Sequence, residues 1–345
     1  MGLGDPGSLE NLAGFLREQA VADHVEILGH ERLSGGAIQE NHGIDVAITG
    51  GPMAGDHALV LRSDAPSGLA ESLSRAQEFQ VIRAAHAAGV TVPEPLWLCE
   101  DSAVIGRVFY VMRRVAGMAA AHRVVRDAAV AANRDGLAGE CAEALAHIHR
   151  ITPDNADFDF LTLPSPTPAL AGVARFRGYL DMLDRPYPGF EWGLRWLERN
   201  APEPDEIVLV HHDFRTGNLM VEDGRLTGVL DWEFTCWSEP HEDIGWLCAR
   251  CWRFGAWRLE AGGIADRAPF YRAYEAASGR KVDPARVFYW EVFAHMRWGI
   301  LALHQGMRHL SGEEPSLHLA LTGRMAAEME YEMIKMTSPS EPVRP

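Results

Sequence analysis

The stretch LVHHDFRTGNLMVEDGRLTGVLDWEF, residues 209–234, constrains this chain more than any other part of it. Asp223-Gly224 lies between two apolar runs and is the strongest short signal for a two-residue hairpin turn. With that turn, Glu222 pairs with Arg225 and Asn218 falls opposite Val229. Asp231 then emerges just beyond the hairpin, at the end that Asn218 occupies. Asp213 ends the incoming strand EIVLVHH, five residues before Asn218. The pattern therefore gathers Asp213, Asn218 and Asp231 at one edge. A carboxylate and an amide oxygen, from Asp231 and Asn218, suit a hard cation such as Mg²⁺, which prefers oxygen ligands and retains waters. Asp213 remains free to accept a proton.

Two chemistries compete for these residues. Phosphoryl transfer to a hydroxyl needs oxygen ligands for a metal and nucleotide phosphates, with a separate carboxylate to orient the attacking group. A dinuclear metal hydrolase would instead draw on His211, His212, Asp213, Asp231, His241 and Asp243. Adjacent residues of a strand point to opposite faces, so His211 and His212 do not readily ligate one ion. The hydrolase reading also gives no role to the loop LSGGAIQEN, to Arg62 or to Glu78.

A chain of 345 residues with 47% hydrophobic content can bury a sizeable core in one large domain or two lobes. Residues 1–24 are expected to form an N-terminal helical extension. The β-type runs VEILGHERL, GIDVAITG, HALVLR, PLWLCE and RVFYVMRRV surround one helical stretch from Gly68 to Ala88, with Leu69, Leu73, Phe79 and Ile82 near one face. After Gly117 helical patterns dominate, at 136–150, 188–200, 267–279, 284–304 and 315–335, interrupted by the strand-rich island around the opening stretch. The expected class is α+β. A small β-rich lobe covers 25–112, a connection 113–117, and a larger helical lobe 118–336, before a disordered tail at 337–345. Ligands commonly bind where two such lobes meet.

Composition narrows the partners. The balance of 32 basic against 48 acidic residues gives a net charge of −16. Such a field repels nucleic acid and anionic membranes, mildly favours a cationic ligand, and keeps the surface solvated. The N-terminus MGLGDPGSLE lacks the basic and apolar regions of a signal peptide and fails the myristoylation pattern at Pro6. No run approaches the roughly 18 apolar residues of a membrane span. Five scattered cysteines make no disulfide framework, so a reducing cytoplasm is expected. Cys248 and Cys251 form an isolated C-x-x-C, read as two core thiols on one helix face rather than as a zinc site.

The opening segment resembles the catalytic core of the aminoglycoside phosphotransferase family, which shares the protein-kinase-like two-lobe fold. His211, Asp213 and Asn218 match its H-x-D-x-x-x-x-N motif, and Asp231 in VLDWE matches the metal-binding aspartate one hairpin later. The resemblance implies Asp213 as catalytic base, Asn218 and Asp231 as Mg²⁺ ligands, and His211 as a brace for the loop. It implies Arg215 as a cation near the transferred phosphate, against the plainer reading of a surface arginine. Asp243, in HEDIGW, would begin a helix and help hold the catalytic loop, with His241 incidental. His149, in ALAHIHRI, is read as a packing residue. His212 departs from the family pattern, which has glycine there.

The first lobe supplies the remaining parts that the resemblance implies. Ser34, Gly35 and Gly36 lie between the first two strands, where backbone amides can approach phosphate closely. Arg62, at the end of the third strand, takes the place of the phosphate-binding lysine, and Glu78 that of the acid paired with it. RVFYVMRRVAG resembles the hinge, with Met112, Arg113 and Val115 as candidates to bind the base of the nucleotide. The implied co-substrate is ATP or GTP with Mg²⁺, and the implied acceptor is a small hydroxylated molecule. LVLRSDAPSG, RAQEFQVI, VPEP, FYVMRRVAG and LDWEF are most similar to kinase-like domains associated with acyl-CoA dehydrogenases and their bacterial relatives. That subgroup implies a hydroxyacyl-CoA-type acceptor; the wider family implies an aminoglycoside or other antibiotic. A non-catalytic nucleotide-binding module is the reading from another class. It predicts loss of the base or of a metal ligand, and both are present.

Overall fold

The computed structural model describes residues 5–33, 39–64 and 72–338. Helix α1 (Pro6–Gln19) precedes a five-stranded sheet of order β1-β2-β3-β5-β4. The strands are β1 (His24–Arg32), β2 (Gln39–Thr49), β3 (Gly55–Asp64), β4 (Pro95–Cys99) and β5 (Phe109–Arg113), antiparallel throughout. Alternation along β3 decides what each face does. Leu59 and Leu61 pack with Leu12 and Leu16 of α1, while Val60 packs with Phe79 and Ile82 of α2 (Arg75–Ala87). Arg62 follows Val60 on that second face.

Helix α2 begins later than the sequence pattern predicts. Ser74 stops it with a capping box: Ser74 Oγ accepts from Gln77 N at 3.3 Å, and Gln77 Oε1 accepts from Ser74 N at 2.9 Å. Leu73 therefore precedes the helix, and Leu69 lies outside the described residues, as do Ser34, Gly35, Gly36 and the tail from 339 onward.

Beyond β5 the chain is mainly helical. The helices are α3 (Ala121–Val124), α4 (Ala128–Ala132), α5 (Arg134–Ile148), α6 (Pro168–Asp181), α7 (Pro188–Arg199), α8 (Pro240–Cys248), α9 (Arg267–Ser278), α10 (Pro284–Leu310) and α11 (Leu317–Thr337). Two small antiparallel ribbons interrupt them, β6 (Val208–Val210) with β9 (Cys236–Ser238), and β7 (Leu219–Glu222) with β8 (Arg225–Val229). One buried cluster joins α5 and α9 to the β7–β8 hairpin through Leu145, Phe270 and Val229. A second joins α6, α7, α10 and α11 through Phe176, Leu194, Phe293 and Met333.

Helix α10 runs six residues past its expected end at 304, to Leu310. The extension has a tertiary cause: α10 and α11 cross at Gly306 and Gly323, where a Cβ on Gly323 would stand 2.8 Å from Gly306 Cα. Helix α8 ends at Cys248, so Cys248 and Cys251 do not share a helix face as expected; Cys251 falls in the following 3₁₀ turn. Among the described residues no helix is long and apolar enough to cross a membrane.

Candidate active site

The hairpin turns where the sequence places it. Asp223 (φ 48°) and Gly224 (φ 71°) are both left-handed, as a two-residue turn with matching twist requires, and Glu222 faces Arg225. Further along, the predicted register fails by one residue. Val221 faces Leu226 but Met220 faces Gly228, so Thr227 is an extra residue forming a β-bulge. Leu219, not Asn218, then lies opposite Val229, and Leu230 N donates to Asn218 O at 2.8 Å. The bulge thereby sets the chain of Asp231 beside that of Asn218.

Strand β6 ends at Val210, so His211, His212 and Asp213 belong to the loop after it rather than to the strand. Asp243, in the first turn of α8, grips that loop. Its Oδ2 accepts from His211 N at 2.7 Å and its Oδ1 from His212 N at 2.8 Å. His149, expected only to pack, reaches Asp243 Oδ2 with Nε2 at 3.3 Å and Tyr274 Oη with Nδ1 at 2.7 Å. Burial works against the Asp243 charge, yet His149 and His211 hold its carboxyl below the ordinary value. His211 Nδ1 accepts from Asp213 N at 3.2 Å, which assigns Nε2 as the donor to Leu230 O at 2.9 Å. One imidazole thus ties the Asp213 loop to the Asp231 loop. His241 is apart from this network and accepts from Asp283 N at 3.2 Å.

The structure gives a physical reason for the family's glycine at position 212. His212 has φ 65°, a conformation that costs a residue with Cβ about 1–2 kcal/mol. Here the imidazole is held on both sides. Nδ1 lies 3.0 Å from Phe234 O, Nε2 lies 2.9 Å from Glu242 Oε1, and the His212 carbonyl accepts from Arg297 Nη1.

Asp213 is buried, and its carboxylate is fixed by three side chains. Oδ1 accepts from Trp246 Nε1 at 3.0 Å and Arg215 Nε at 3.1 Å, and Oδ2 accepts from Asn218 Nδ2 at 2.6 Å. The Arg215 guanidinium also stands 4.9 Å over the Trp252 ring. Trp246 was not foreseen as part of the site. Its spacing of three from Asp243 was the available signal, since such residues share a helix face.

Arg62 connects the two lobes. Its Nε donates to Glu78 Oε2 at 3.1 Å, and its Nη2 lies 3.1 Å from Glu78 Oε1 and 2.5 Å from Asp231 Oδ1. Glu78 is shared with Arg75, which also lies 2.9 Å from Asp64. Burial opposes the Arg62 charge, but Glu78 and Asp231 hold the guanidinium well above its ordinary value. Burial likewise pushes the Asp231 carboxyl up, and Arg62 more than offsets it, leaving it below its ordinary value. At the expected hinge, Arg113 N donates to Glu94 O at 2.9 Å, and the Arg113 side chain bonds Glu94 and His57. Met112 faces Val60 within the sheet. Among the described residues the Val115 amide has no hydrogen-bond partner.

A cleft of about 440 Å³ receives Asp213, Arg215, Asn218 and Asp231 together. Asn218 Nδ2 serves Asp213, leaving Asn218 Oδ1 without a partner among the described residues, and Arg62 occupies only Oδ1 of Asp231. The remaining amide and carboxylate oxygens fit Mg²⁺, which takes one or two protein oxygens together with waters and phosphates. No group of three or more His, Cys, Asp or Glu able to hold a metal occurs among the described residues. The dinuclear hydrolase reading therefore lacks its ligand set.

A sequence model of the phosphotransferase enzyme family matches residues 41–288. The chain belongs to this family. Mouse (Mus musculus) acyl-CoA dehydrogenase family member 10 is 26% identical over 293 residues, 79% of this chain and 27% of that protein. The chain spans about a quarter of the length of the curated relatives it matches. A Ralstonia eutropha JMP134 protein assigned as an aminoglycoside phosphotransferase superposes with a TM-score of 0.73 at 22% identity, over 95% of this chain and 98% of that one. A thermostable mutant of the aminoglycoside phosphotransferase APH(4)-Ia, in ternary complex with ADP and hygromycin B, superposes with a TM-score of 0.58 at 16% identity, over 96% of this chain and 100% of that one. The fold is protein-kinase-like, a small β-rich lobe on a larger helical one. The family's chemistry is phosphoryl transfer to small molecules.

Proposed function

We propose that the protein moves the γ-phosphoryl group of ATP or GTP to a hydroxyl of a small molecule, with Asp213 as the base. The observation that carries this reading is the unequal treatment of two carboxylates in one cleft. Asp231 is tied to Arg62 of the small lobe, whereas Asp213 is held by Arg215, Trp246 and Asn218, all from the helical lobe. Mg²⁺ would be held by Asp231 and Asn218 and would supply neutralisation of the phosphate charge. The amides of Ser34, Gly35 and Gly36 cover the phosphates in this reading, Arg62 positioned by Glu78 binds them, and the Met112–Val115 stretch meets the base.

The acceptor hydroxyl donates to Asp213, whose oxygens cannot swing away because their donors are fixed. As the new O–P bond forms and the bond to the β-phosphate oxygen breaks, the hydroxyl proton passes to Asp213. His211 and Asp243 act on this step only by holding the loop. Five free thiols fit a reducing cytoplasm.

For the acceptor we favour a hydroxyacyl-CoA-type metabolite. The cleft wall from α8, α10 and α11 presents Trp246, Trp298, Leu301 and Leu319, and no Asp or Glu from these helices lines it. A polycationic aminoglycoside, the alternative, gains nothing from such a wall. The test is an ADP-release screen of the purified protein against hydroxyacyl-CoAs, aminoglycosides, macrolides and simple amino alcohols. ADP formation dependent on one acceptor class is expected. Release no faster than in acceptor-free controls, together with full function of Asp213→Asn in cells, would leave a nucleotide-binding module instead.

A further inference from the structure

Arg297 sits midway along α10 and is only 7% exposed. Its Nη1 donates to the His212 carbonyl, and its Cζ stands 4.5 Å over the Trp246 ring and 5.8 Å from the Phe234 ring. Among the described residues no carboxylate pairs with it. Arg62, Arg75 and Arg253 are equally buried, and each of them reaches at least one acid. A guanidinium carries five N–H donors; in Arg297 only Nη1 has a protein partner, and none of its nitrogens is both buried and unpartnered, so the remaining donors are open to the cleft. Burial pushes the Arg297 guanidinium down from its ordinary value, and the more distant charges of Asp213 and Glu242 restore only part of it.

The unused donors border open space. Arg297 lines the 440 Å³ cleft and also a second cavity of about 350 Å³, and the two share Phe234 and Leu301. Arg175 of α6 lines the second cavity, is exposed, and has no ion pair among the described residues. Two cations with no ion pair among the described residues therefore flank one space, and the Trp246 ring lies between Arg297 and the Asp213 carboxylate.

We infer that Arg297, aided by Arg175, is a specificity-determining subsite for a carboxylate or phosphate carried by the acceptor. The acceptor's body would cross the Trp246 ring and its hydroxyl would reach Asp213, a placement that rests on the phosphotransferase reading. A guanidinium matches either anion through paired N–H donors, which is why both sources share this chemistry. Bracing His212 needs only Nη1.

The test is calorimetric titration of the full chain, loaded with AMP-PNP and magnesium, with 5-hydroxypentanoate, 5-hydroxypentyl phosphate and neutral 1,5-pentanediol. At least one anionic probe is expected to bind about tenfold or more tightly than the diol, and comparing the two anions identifies the preferred source. Arg297→Gln should remove that preference while AMP-PNP affinity stays within about twofold, and Arg175→Gln should reduce it by about threefold. Because Arg297→Gln also disturbs the His212 brace, Leu301→Glu supplies the second arm. One helical turn from Arg297, the new carboxylate would occupy its donors and remove the anion preference without touching the brace. Equal binding of charged and neutral probes by the wild type, or a preference that survives Leu301→Glu, overturns the subsite. The same probes separate the two readings. Anion preference without nucleoside-diphosphate release from either ATP or GTP upholds the subsite and sinks phosphoryl transfer. ADP release with the diol and both anions at equal KM does the reverse.

Discussion

The two sides of the cleft treat buried charge in opposite ways. On the nucleotide side, Arg62 is matched by Glu78 and Asp231, and Glu78 is matched again by Arg75. On the acceptor side, Arg297 faces aromatic rings and one carbonyl. A matched network holds its charges in place before any ligand arrives, and so suits a partner that is the same in every turnover. An unmatched buried cation is complete only with a ligand, and so selects among partners. Net charge is a poor guide to such a site: the −16 of the whole chain says nothing about an acceptor wall on which the helices place an arginine and no acid.

The largest expected effect lies where the two sides meet. Asp213→Ala should lower kcat by about 10²–10⁴-fold. Nucleotide affinity, measured by titration calorimetry, should be nearly unchanged, because the Arg62 network does not include Asp213. Wild-type turnover in this variant would remove the base from the mechanism, and a parallel loss of nucleotide binding would break the division between the two sides. Asp231→Ala sharpens the same division from the other direction. It should weaken magnesium-dependent nucleotide binding by about 10–150-fold, since a charge-assisted contact of about 1.5–3 kcal/mol is removed. A magnesium titration of nucleotide binding identical to wild type would contradict its role as a ligand.

Asp243→Asn probes the support beneath both sides. An amide offers one acceptor oxygen where the carboxylate serves the amides of His211 and His212, so about 1–3 kcal/mol of stability should be lost in urea melts near neutral pH. The pH dependence has a definite sign. Because the folded-state carboxyl titrates below its ordinary value of about 4, its contribution is present above that value and is lost as pH falls through the folded one. The gap between wild type and variant should therefore shrink as pH falls below about 4. A gap that widens in acid would reverse the assignment. The smallest effect belongs to His212. His212→Gly and His212→Ala both discard the imidazole, but only alanine keeps the left-handed strain, so glycine should be the more stable by about 1 kcal/mol. Equal melting temperatures would mean that the backbone relaxes there.

Local patterns in the sequence carried much of this architecture. The alternation in HALVLR put Leu59 and Leu61 on one face and Val60 and Arg62 on the other, and Asp223-Gly224 marked its turn. Features set by packing were not legible. The last turns of α10 depend on Gly323 arriving from another helix, and α6 gave no pattern strong enough to be noticed. His149 looked like packing because its partners, Asp243 and Tyr274, are distant in the chain. Arg297 stands in FAHMRWGI as an arginine that needs some partner, and only the fold reveals that the described residues provide no acidic one.

The bulge at Thr227 has a consequence for how such motifs are compared. Side chains along a ribbon alternate with a period of two, so one additional residue exchanges the two faces for the rest of β8. Asp231 owes its position to a residue with no part in the proposed chemistry. A chain with the same catalytic letters and an unbroken hairpin would spell the motif faithfully while starting its turn towards Asp231 one pair further along the ribbon. Parity of spacing, as well as identity of residue, is thus part of what the motif encodes.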